Sequence, residues 1–325
     1  MSSVDVVVPC YNYGRYLERC VRSLLDQPAV DVRVLIIDDC SSDDTPNVGQ
    51  RLSAADRRVT YQRHHVNRGH IATYNEGLLG WATADYCLLI SADDLVTPGA
   101  LLRAALVLDS YPRVGLCYGA QQIFSDDVPT VVEGPRDPKV QLWSGHDFWE
   151  RCCRTGQNAV ATPTAVVRTS IQHAVGGYRK ELPHSADLDI WLRIAARSDV
   201  AYIDTPQAFK RMHGMNMQER FRELEDLKQR QRAFECACAD ARSLVPEMSR
   251  FTRLVQRSLA FEAFWKASAD FDRGRPADCS EWLTTATGLD PSIVQTTEWR
   301  RLAMKQRLGV TLWGVLQPWV NRLRV

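Results

Sequence analysis

Tyr86-Cys87-Leu88-Leu89-Ile90-Ser91-Ala92-Asp93-Asp94 is the stretch that decides the fold. An apolar run this short reads as a strand inside a parallel sheet, and Leu95-Val96-Thr97-Pro98 restarts the chain toward a helix. Open α/β sheets take ligands at the carboxyl ends of their strands, so two adjacent carboxylates stand where a ligand goes. Such a pair repels itself unless something positive joins it, and a divalent cation carrying a diphosphate meets that need. The pair also reads as an acidic turn capping the next helix, and the rest of the chain has to separate the two readings.

Outward from this stretch, the first 120 residues or so alternate strands and helices. Val4–Val8 precedes a helix whose Leu17, Cys20, Val21, Leu24 and Leu25 recur at helical spacing. Then come Val32–Ile37, an acidic loop, a short helix, a strand near Val59–Gln62, a helix from Ile71 to Trp81, and Tyr86–Ile90 itself. A helix over Gly99–Ser110 and a strand over Val114–Tyr118 follow. This alternation predicts an α/β fold, a mostly parallel sheet flanked by helices. Between 121 and 163 the pattern weakens around Pro129, Pro135 and Pro138, with a helix at His146–Arg154. It returns at Thr164–Val167, at the turn Val175-Gly176-Gly177-Tyr178, at a helix from Asp187 to Arg197, and at Val200–Ile203. Beyond Met217 the patterning is helical to the end, starting with an amphipathic stripe of Met217, Phe221, Leu224 and Leu227. The domain boundary is therefore expected at 217, with 1–217 as the α/β domain and 218–325 as an all-helical appendage. Within the appendage, Ala260–Asp270 and Cys279–Ala286 predict a helical hairpin resembling one tetratricopeptide-type unit, which must pack on a neighbour to bury its apolar face.

Composition narrows the function. Lys and Arg total 40 against 39 Asp and Glu, a net charge of +1, so no general nucleic-acid surface is expected. The ten cysteines contain no CxxC pair, and Cys10, Cys87 and Cys117 sit in apolar runs, which points to core thiols in a reducing cytoplasm. Val4-Asp5-Val6-Val7-Val8 follows the first residues directly, so no leader is expected, and nothing approaches the ~18 apolar residues of a membrane span.

Four further segments carry chemistry. Val7-Val8-Pro9-Cys10-Tyr11-Asn12 ends a strand with an aromatic on which a planar base could stack. Leu35-Ile36-Ile37-Asp38-Asp39-Cys40-Ser41-Ser42-Asp43-Asp44-Thr45 ends a second strand in paired carboxylates, one of which could accept an imide N–H. Helix capping accounts for Asp43, Asp44 and Thr45 but not for Asp38 and Asp39. Asn67-Arg68-Gly69-His70 with Asn75-Glu76-Gly77 offers close backbone approach at the glycines, and an arginine for phosphate. His184-Ser185-Ala186-Asp187-Leu188-Asp189-Ile190-Trp191 puts Asp187 in the first turn of a helix, either as its cap or as a general base.

In this order and spacing, the five segments resemble a family 2 glycosyltransferase of the GT-A fold, over about Val4 to Asn216. The resemblance implies that Pro9, Tyr11 and Asp39, with Asp38 beside them, hold the base of a nucleotide, with Arg68 contributing. It implies that Asp93 touches the ribose or donor sugar and that Asp94 binds Mn²⁺ or Mg²⁺ bridging a diphosphate. Asp187 would be the general base. Lys210-Arg211-Met212-His213-Gly214-Met215-Asn216 matches the family's closing Arg-x-His segment, which adds His213 as a contact to metal or diphosphate. The implied reaction is inverting transfer of a sugar from a UDP- or dTDP-type donor to a hydroxyl of a glycan, lipid-linked or small-molecule acceptor. Two positions depart from the family pattern: Ser91 stands where many members carry an acid, and Ala186 stands where many carry Glu. A catalytically degenerate sugar-nucleotide-binding or scaffold protein is the alternative they leave open. GxGxxG, P-loop, GxSxG and HExxH patterns are absent, which removes dinucleotide oxidoreductases, P-loop NTPases, α/β-hydrolases and zincins.

Outside the resemblance, residues 301–325 carry Arg301, Lys305, Arg307, Arg322 and Arg324 and no acid, around Val310, Leu312, Trp313, Leu316, Trp319 and Val320. Such a segment either docks as an ordinary C-terminal helix, with Pro318 as an interruption, or touches an anionic membrane through 306–325. The helical domain is also a candidate homodimer surface.

Overall fold

Each strand of the core is a run of β-branched and aliphatic residues ended by a polar turn, and the computed structural model describes residues 1–125, 138–213 and 223–322. The strands are β1 (Ser3–Cys10), β2 (Asp31–Asp38), β3 (Val59–Arg63), β4 (Tyr86–Leu89), β5 (Leu95–Val96), β6 (Val114–Phe124), β7 (Val140–Trp143), β8 (Val166–Arg168) and β9 (Asp199–Arg211). The helices are α1 (Gly14–Leu25), α2 (Thr45–Ala55), α3 (His70–Asn75), α4 (Ala100–Ser110), α5 (Gly145–Thr155), α6 (Thr169–Val175), α7 (Ala186–Ala195), α8 (Leu224–Ala241), α9 (Met248–Asp272), α10 (Pro276–Leu289) and α11 (Thr297–Arg322).

Among the described residues, these strands form one sheet in the order β3-β2-β1-β4-β8-β6-β9-β5, with β7 also paired to β9. β1, β2, β3 and β4 run parallel. β8 is inserted antiparallel between β4 and β6, and β6 runs parallel to β9. Six strands therefore share one direction, as the strand–helix alternation predicts, and β5, β7 and β8 oppose it. Alternation along β1 sends Val4, Val6 and Val8 to one core, under α1 and α4, and Val7 to the other, under α7 and the later helices.

The structure differs from the sequence reading at β6, β9 and the Ile71–Trp81 helix, and adds β5, β7 and α6, which the reading did not give. β6 and β9 continue past Tyr118 and Ile203, to Phe124 and Arg211. Their outer halves carry Gln121, Gln122, Thr205, Gln207 and Lys210 in place of an apolar run, so only ladder pairing reveals them. The helix expected over Ile71–Trp81 starts as α3 and widens into a π-helix over Glu76–Trp81. In that turn the Ala82 N–H donates to the Gly77 carbonyl at 2.9 Å. Gly77 backs directly onto Val7, where a Cβ would stand 2.4 Å from a Val7 methyl.

α9 and α10 form the expected hairpin, whose apolar face is covered by the α/β part. Trp149 of α5 stacks on Phe251 of α9 with ring centroids 6.3 Å apart, and one apolar cluster runs from Val7 to Trp282. All ten cysteines are free thiols, eight of them buried. The domain boundary expected at 217 lies outside the described residues, as do Pro129, Pro135, Gly214, Met215, Asn216, Met217, Phe221, Arg324 and the side chains of Val310, Leu316, Pro318, Trp319, Val320 and Arg322. α11 kinks at Gly309 (φ 77°) and docks its Trp313 on α9, the indole N–H donating to Asp272 Oδ1 at 2.6 Å. Among the described residues, no helix is long and apolar enough to cross a membrane.

Candidate active site

The carboxyl ends of β1, β2 and β4 lie side by side, and each carries its expected polar residues. At β1, Pro9 is partly exposed and Tyr11 is half exposed at 50%. The loop after β2 is tied to this strand end, the Asp39 N–H donating to the Cys10 carbonyl at 2.8 Å and the Ser42 N–H to Asn12 Oδ1 at 2.8 Å.

Strand geometry gives the two adjacent carboxylates different environments. Asp38 is fully buried. Its Oδ1 accepts from the Ser41 N–H at 2.8 Å, and its Oδ2 from the Tyr61 hydroxyl at 2.7 Å with Arg63 Nε at 3.4 Å. Asp39 faces the 64–69 loop. Its Oδ1 accepts from the Arg68 N–H at 2.7 Å and contacts His64 Nδ1 at 2.7 Å, and its Oδ2 accepts from the Gly69 N–H at 2.9 Å. Gly69 presents that N–H from a backbone with φ 83°, which a side chain would strain. Glu76, the first residue of the π-helix, closes the group: it pairs with the Arg68 guanidinium and lies 3.2 Å from His64 Nε2.

After β4, Asp93 and Asp94 are nearly buried, at 4% and 6% exposure. His213 Nε2 lies 3.0 Å from Asp93 Oδ2, while Asp93 Oδ1 is shielded from solvent and has no partner among the described residues. Asp94 Oδ1 accepts from the Arg211 N–H at 2.9 Å. Burial first, and then the neighbouring Asp93, push the Asp94 carboxyl up to about 8. The His213 ring stacks on Tyr16 at 5.7 Å and meets the edge of Tyr13 at 5.6 Å. The pair does not serve as a helix cap: α4 starts six residues beyond Asp94, after Gly99, with no side-chain cap.

Asp187 is the second residue of α7, and Ser185 occupies the N-cap position. Its Oδ1 accepts from the Leu188 N–H at 2.8 Å and its Oδ2 from Asn158 Nδ2 at 2.8 Å, with Thr162 Oγ1 at 3.5 Å. Burial raises its carboxyl above the ordinary range, opposed by the Leu188 N–H and by the charges of His184 and Lys210. The turn before α7 is fixed by Asn75, whose Oδ1 accepts from the Tyr178 N–H at 2.7 Å and whose Nδ2 donates to the Tyr178 carbonyl at 2.8 Å. Only glycine fits at 177, because a Cβ there would lie 2.4 Å from that amide.

Asp94, Asp187 and Lys210 line one cleft of about 620 Å³. Pro9, Tyr11, Asp38, Asp39 and Arg68 lie apart from it, around the ends of β1 and β2. The sequence patterns assign nothing to His64, Asn158 or Thr162, and give Glu76 no role. Asn158 reaches Asp187 only through space, across 29 positions. Glu76 stands in a segment that carries other candidate residues, so its neighbourhood is the available signal.

A family profile described as glycosyl transferase family 2 matches residues 5–170, a little over half of the chain. The chain belongs to glycosyl transferase family 2. It is 28% identical over 219 residues to the uncharacterized protein MT1568 of Mycobacterium tuberculosis, covering 62% of this chain and 64% of that protein. To the chondroitin synthase of Pasteurella multocida it is 22% identical over 213 residues, 66% of this chain and 21% of that one. It thus spans less than two thirds of the length of these curated relatives. Among solved structures, Staphylococcus aureus TarS 1-349 in complex with UDP-GlcNAc superposes with a TM-score of 0.65 at 15% identity, covering 88% of this chain and 80% of that one. The mannosyltransferase PcManGT from Pyrobaculum calidifontis, in complex with GDP-Man and Mn²⁺, gives 0.52 at 16%, covering 97% and 84%. At such identities these likenesses establish the fold, that of GT-A glycosyltransferases with a helical C-terminal region.

Proposed function

We propose that this family 2 chain transfers a sugar from a nucleoside-diphosphate sugar of UDP or dTDP type to an acceptor hydroxyl, with inversion, using Asp187 as general base. The observation that carries the proposal is the shared cleft: a carboxylate suited to a diphosphate-bound cation and a carboxylate suited to a hydroxyl proton face one space of about 620 Å³. Tyr11 would stack on the base beside Pro9, and Asp39 would read its edge. Asp38, spent on Ser41, Tyr61 and Arg63, would hold the turn that presents Asp39. Arg68, steered by Glu76, would stand at the nucleotide, and Asp93 would meet the ribose or donor sugar.

The residues present fit a divalent cation. Among the described residues Asp93 keeps one buried oxygen without a partner, and burial and the Asp93 charge hold Asp94 near 8 against the opposing charges of Lys210 and Arg211. Asp94 would hold Mn²⁺ or Mg²⁺, with His213 as the further contact through Asp93. No group of three or more His, Cys, Asp or Glu gathers into a metal cage among the described residues, so the donor's own oxygens would complete the coordination. When bound, the cation would offset charge on the diphosphate. In the transfer, Asp187 takes the acceptor proton while the acceptor oxygen bonds to the anomeric carbon. The bond from that carbon to the diphosphate oxygen breaks, and its electron pair leaves with the nucleoside diphosphate. Lys210, at the cleft wall, is placed to meet that leaving charge.

The alternative, a degenerate binding or scaffold protein, draws on Ser91 and Ala186, since Ala186 is a buried residue that supplies no acid beside Asp187. Release of UDP, dTDP or GDP from a panel of their sugars, with and without Mn²⁺, separates the two. Absence of release from every donor, with nucleotide binding intact, refutes the transfer reading. The free thiols support a cytoplasmic setting. α11 supports a peripheral membrane contact through its exposed Leu308, Leu312 and Val315, whereas Trp313 is turned inward. Co-sedimentation with anionic vesicles before and after removal of 306–325 tests that contact, and unchanged partitioning excludes it. Exposed Trp265 on α9 supports self-association through the helical domain, which sedimentation velocity checks.

A further inference from the structure

One wall of the cleft carries aromatic and basic side chains to which the transfer reading gives no role. It is built by β6, β7, β9 and α5, none of which carries a residue assigned to the base or the ribose. Tyr202 meets the buried Tyr118 there at a tilt of 58° with ring centroids 5.2 Å apart, and Trp143 ends β7 beside them. Aromatic faces of this kind accept the apolar face of a sugar ring while leaving its hydroxyls free.

Beside the aromatic side chains stands Arg151. The Arg151 guanidinium lies 5.0 Å from the Trp143 ring centre, and its charge favours the ionised forms of Tyr118 and Tyr202 against their burial. Arg151 is exposed, and no carboxylate among the described residues pairs with it. Its neighbour Glu150 turns instead to Arg154 at 2.5 Å and Arg250 at 2.7 Å. On the same wall the Trp143 indole N–H is shielded from solvent and has no acceptor among the described residues. Among the described residues, an arginine without a carboxylate and an indole N–H without an acceptor thus adjoin the aromatic side chains of the cleft that also holds Asp187.

We propose that this wall is the acceptor subsite and that it selects an anionic glycan, with a sugar ring resting on Trp143 and Tyr202 and a carboxylate or phosphodiester paired with Arg151. The inference rests on the transfer reading above for the direction of the cleft, but binding tests it without turnover. A fork of guanidinium N–H groups suits either anion, because both present two oxygens in a plane.

The experiment measures binding of three probes to the full chain by titration calorimetry: a glucuronic-acid-containing disaccharide, a short glycerol phosphate oligomer, and neutral cellobiose. The expected result is that at least one anionic probe binds about tenfold or more tighter than cellobiose, the scale of one charge-assisted contact. Arg151→Gln should erase that preference and Arg151→Lys should keep part of it, while thermal melting confirms that each variant is folded. The better of the two anions distinguishes a uronate from a phosphodiester. Equal binding of cellobiose, no binding of either anion, or a preference that survives Arg151→Gln would overturn the proposal. So would an Arg151→Gln variant that loses UDP affinity in the same proportion, since that assigns the arginine to the donor. The transfer reading fails separately, through the nucleotide-release panel.

Discussion

Replacing Asp187 by Asn tests the centre of the mechanism. The amide oxygen of Asn can still accept from the Leu188 N–H, so the start of α7 keeps its bond, and the lost acceptor for Asn158 Nδ2 lies at the open cleft. Burial disfavours the charge at this position, so neutralising it removes a desolvation cost that offsets the lost contact. The fold and nucleotide affinity should therefore change little. Turnover should not be spared, because an amide cannot take the acceptor proton; the loss expected for a general base is about 10²–10⁴-fold in kcat, or ~3–5 kcal/mol on the barrier. A pH profile adds an independent readout. The base must be ionised, and its carboxyl is raised above 3.8, so wild-type kcat/KM should fall as pH drops through that elevated value. The limb should be absent from whatever activity Asp187→Asn retains. Initial-rate measurement of nucleoside diphosphate release, with UDP calorimetry and a thermal melt as controls, decides the matter. A variant with more than about a tenth of wild-type kcat, or with the same acidic limb, refutes the assignment.

Asn158→Ala removes the N–H that Asp187 Oδ2 accepts, a contact to a charge worth about 1.5–3 kcal/mol; kcat should fall ~10–100-fold and the acidic limb should move to higher pH, because the donor favoured the ionised base. Asp94→Asn should weaken Mn²⁺-dependent donor binding in calorimetry and yet stabilise the metal-free protein. The Asp94 carboxyl is raised from 3.8 to about 8, so its contribution to stability is complete below its unfolded value and is lost as pH climbs through about 8. With allowance for relaxation the gain at neutral pH is ~2–4 kcal/mol, roughly 3–6 °C in Tm for a chain of this length, and an unchanged or lower Tm in chelator would contradict it. Arg230→Met should cost about 3–5 kcal/mol in denaturant unfolding, because Glu262 is left charged and the Gly156 carbonyl loses its donor. It should also lower kcat, which a purely structural brace remote from the cleft would not do.

Legibility in the sequence follows burial. β1, β2 and β4 end in apolar runs (Val6–Val8, Val34–Ile37, Tyr86–Leu89) that are buried throughout, so the apolar pattern alone places their ends, and with them Asp39, Asp93 and Asp94. β6 and β9 read short because their outer halves alternate polar residues and declare themselves only through pairing. The π-helix is invisible in the sequence because widening a turn by one residue leaves the apolar spacing of Ile71–Trp81 nearly intact. Asp38 and Asp39 look alike in sequence, and strand alternation alone turns one into the core and the other toward Arg68 and Gly69. His64, Asn158 and Arg151 belong to no motif: each matters through a contact made across the fold.

A boundary between catalytic and helical parts drawn from composition does not separate their physics. Two loops frame Asp187, one carrying Asn158 and the other carrying His184, and each is held from the helical side. Arg230 of α8 donates to the Gly156 carbonyl at 2.6 Å, and Glu262 of α9 accepts from Gln157 at 2.9 Å, which fixes the first loop next to Asn158. Asp226 of α8 meets His184 Nε2 at 2.9 Å, which fixes the second loop three residues before Asp187. Arg230 joins the two braces, since it pairs with both Asp226 and Glu262. The charge of His184 in turn favours ionised Asp187. The helices therefore do more than cover an apolar face: they set the geometry and part of the electrostatic environment of Asp187, and the α/β part cut at 217 would leave both of its framing loops without their anchors.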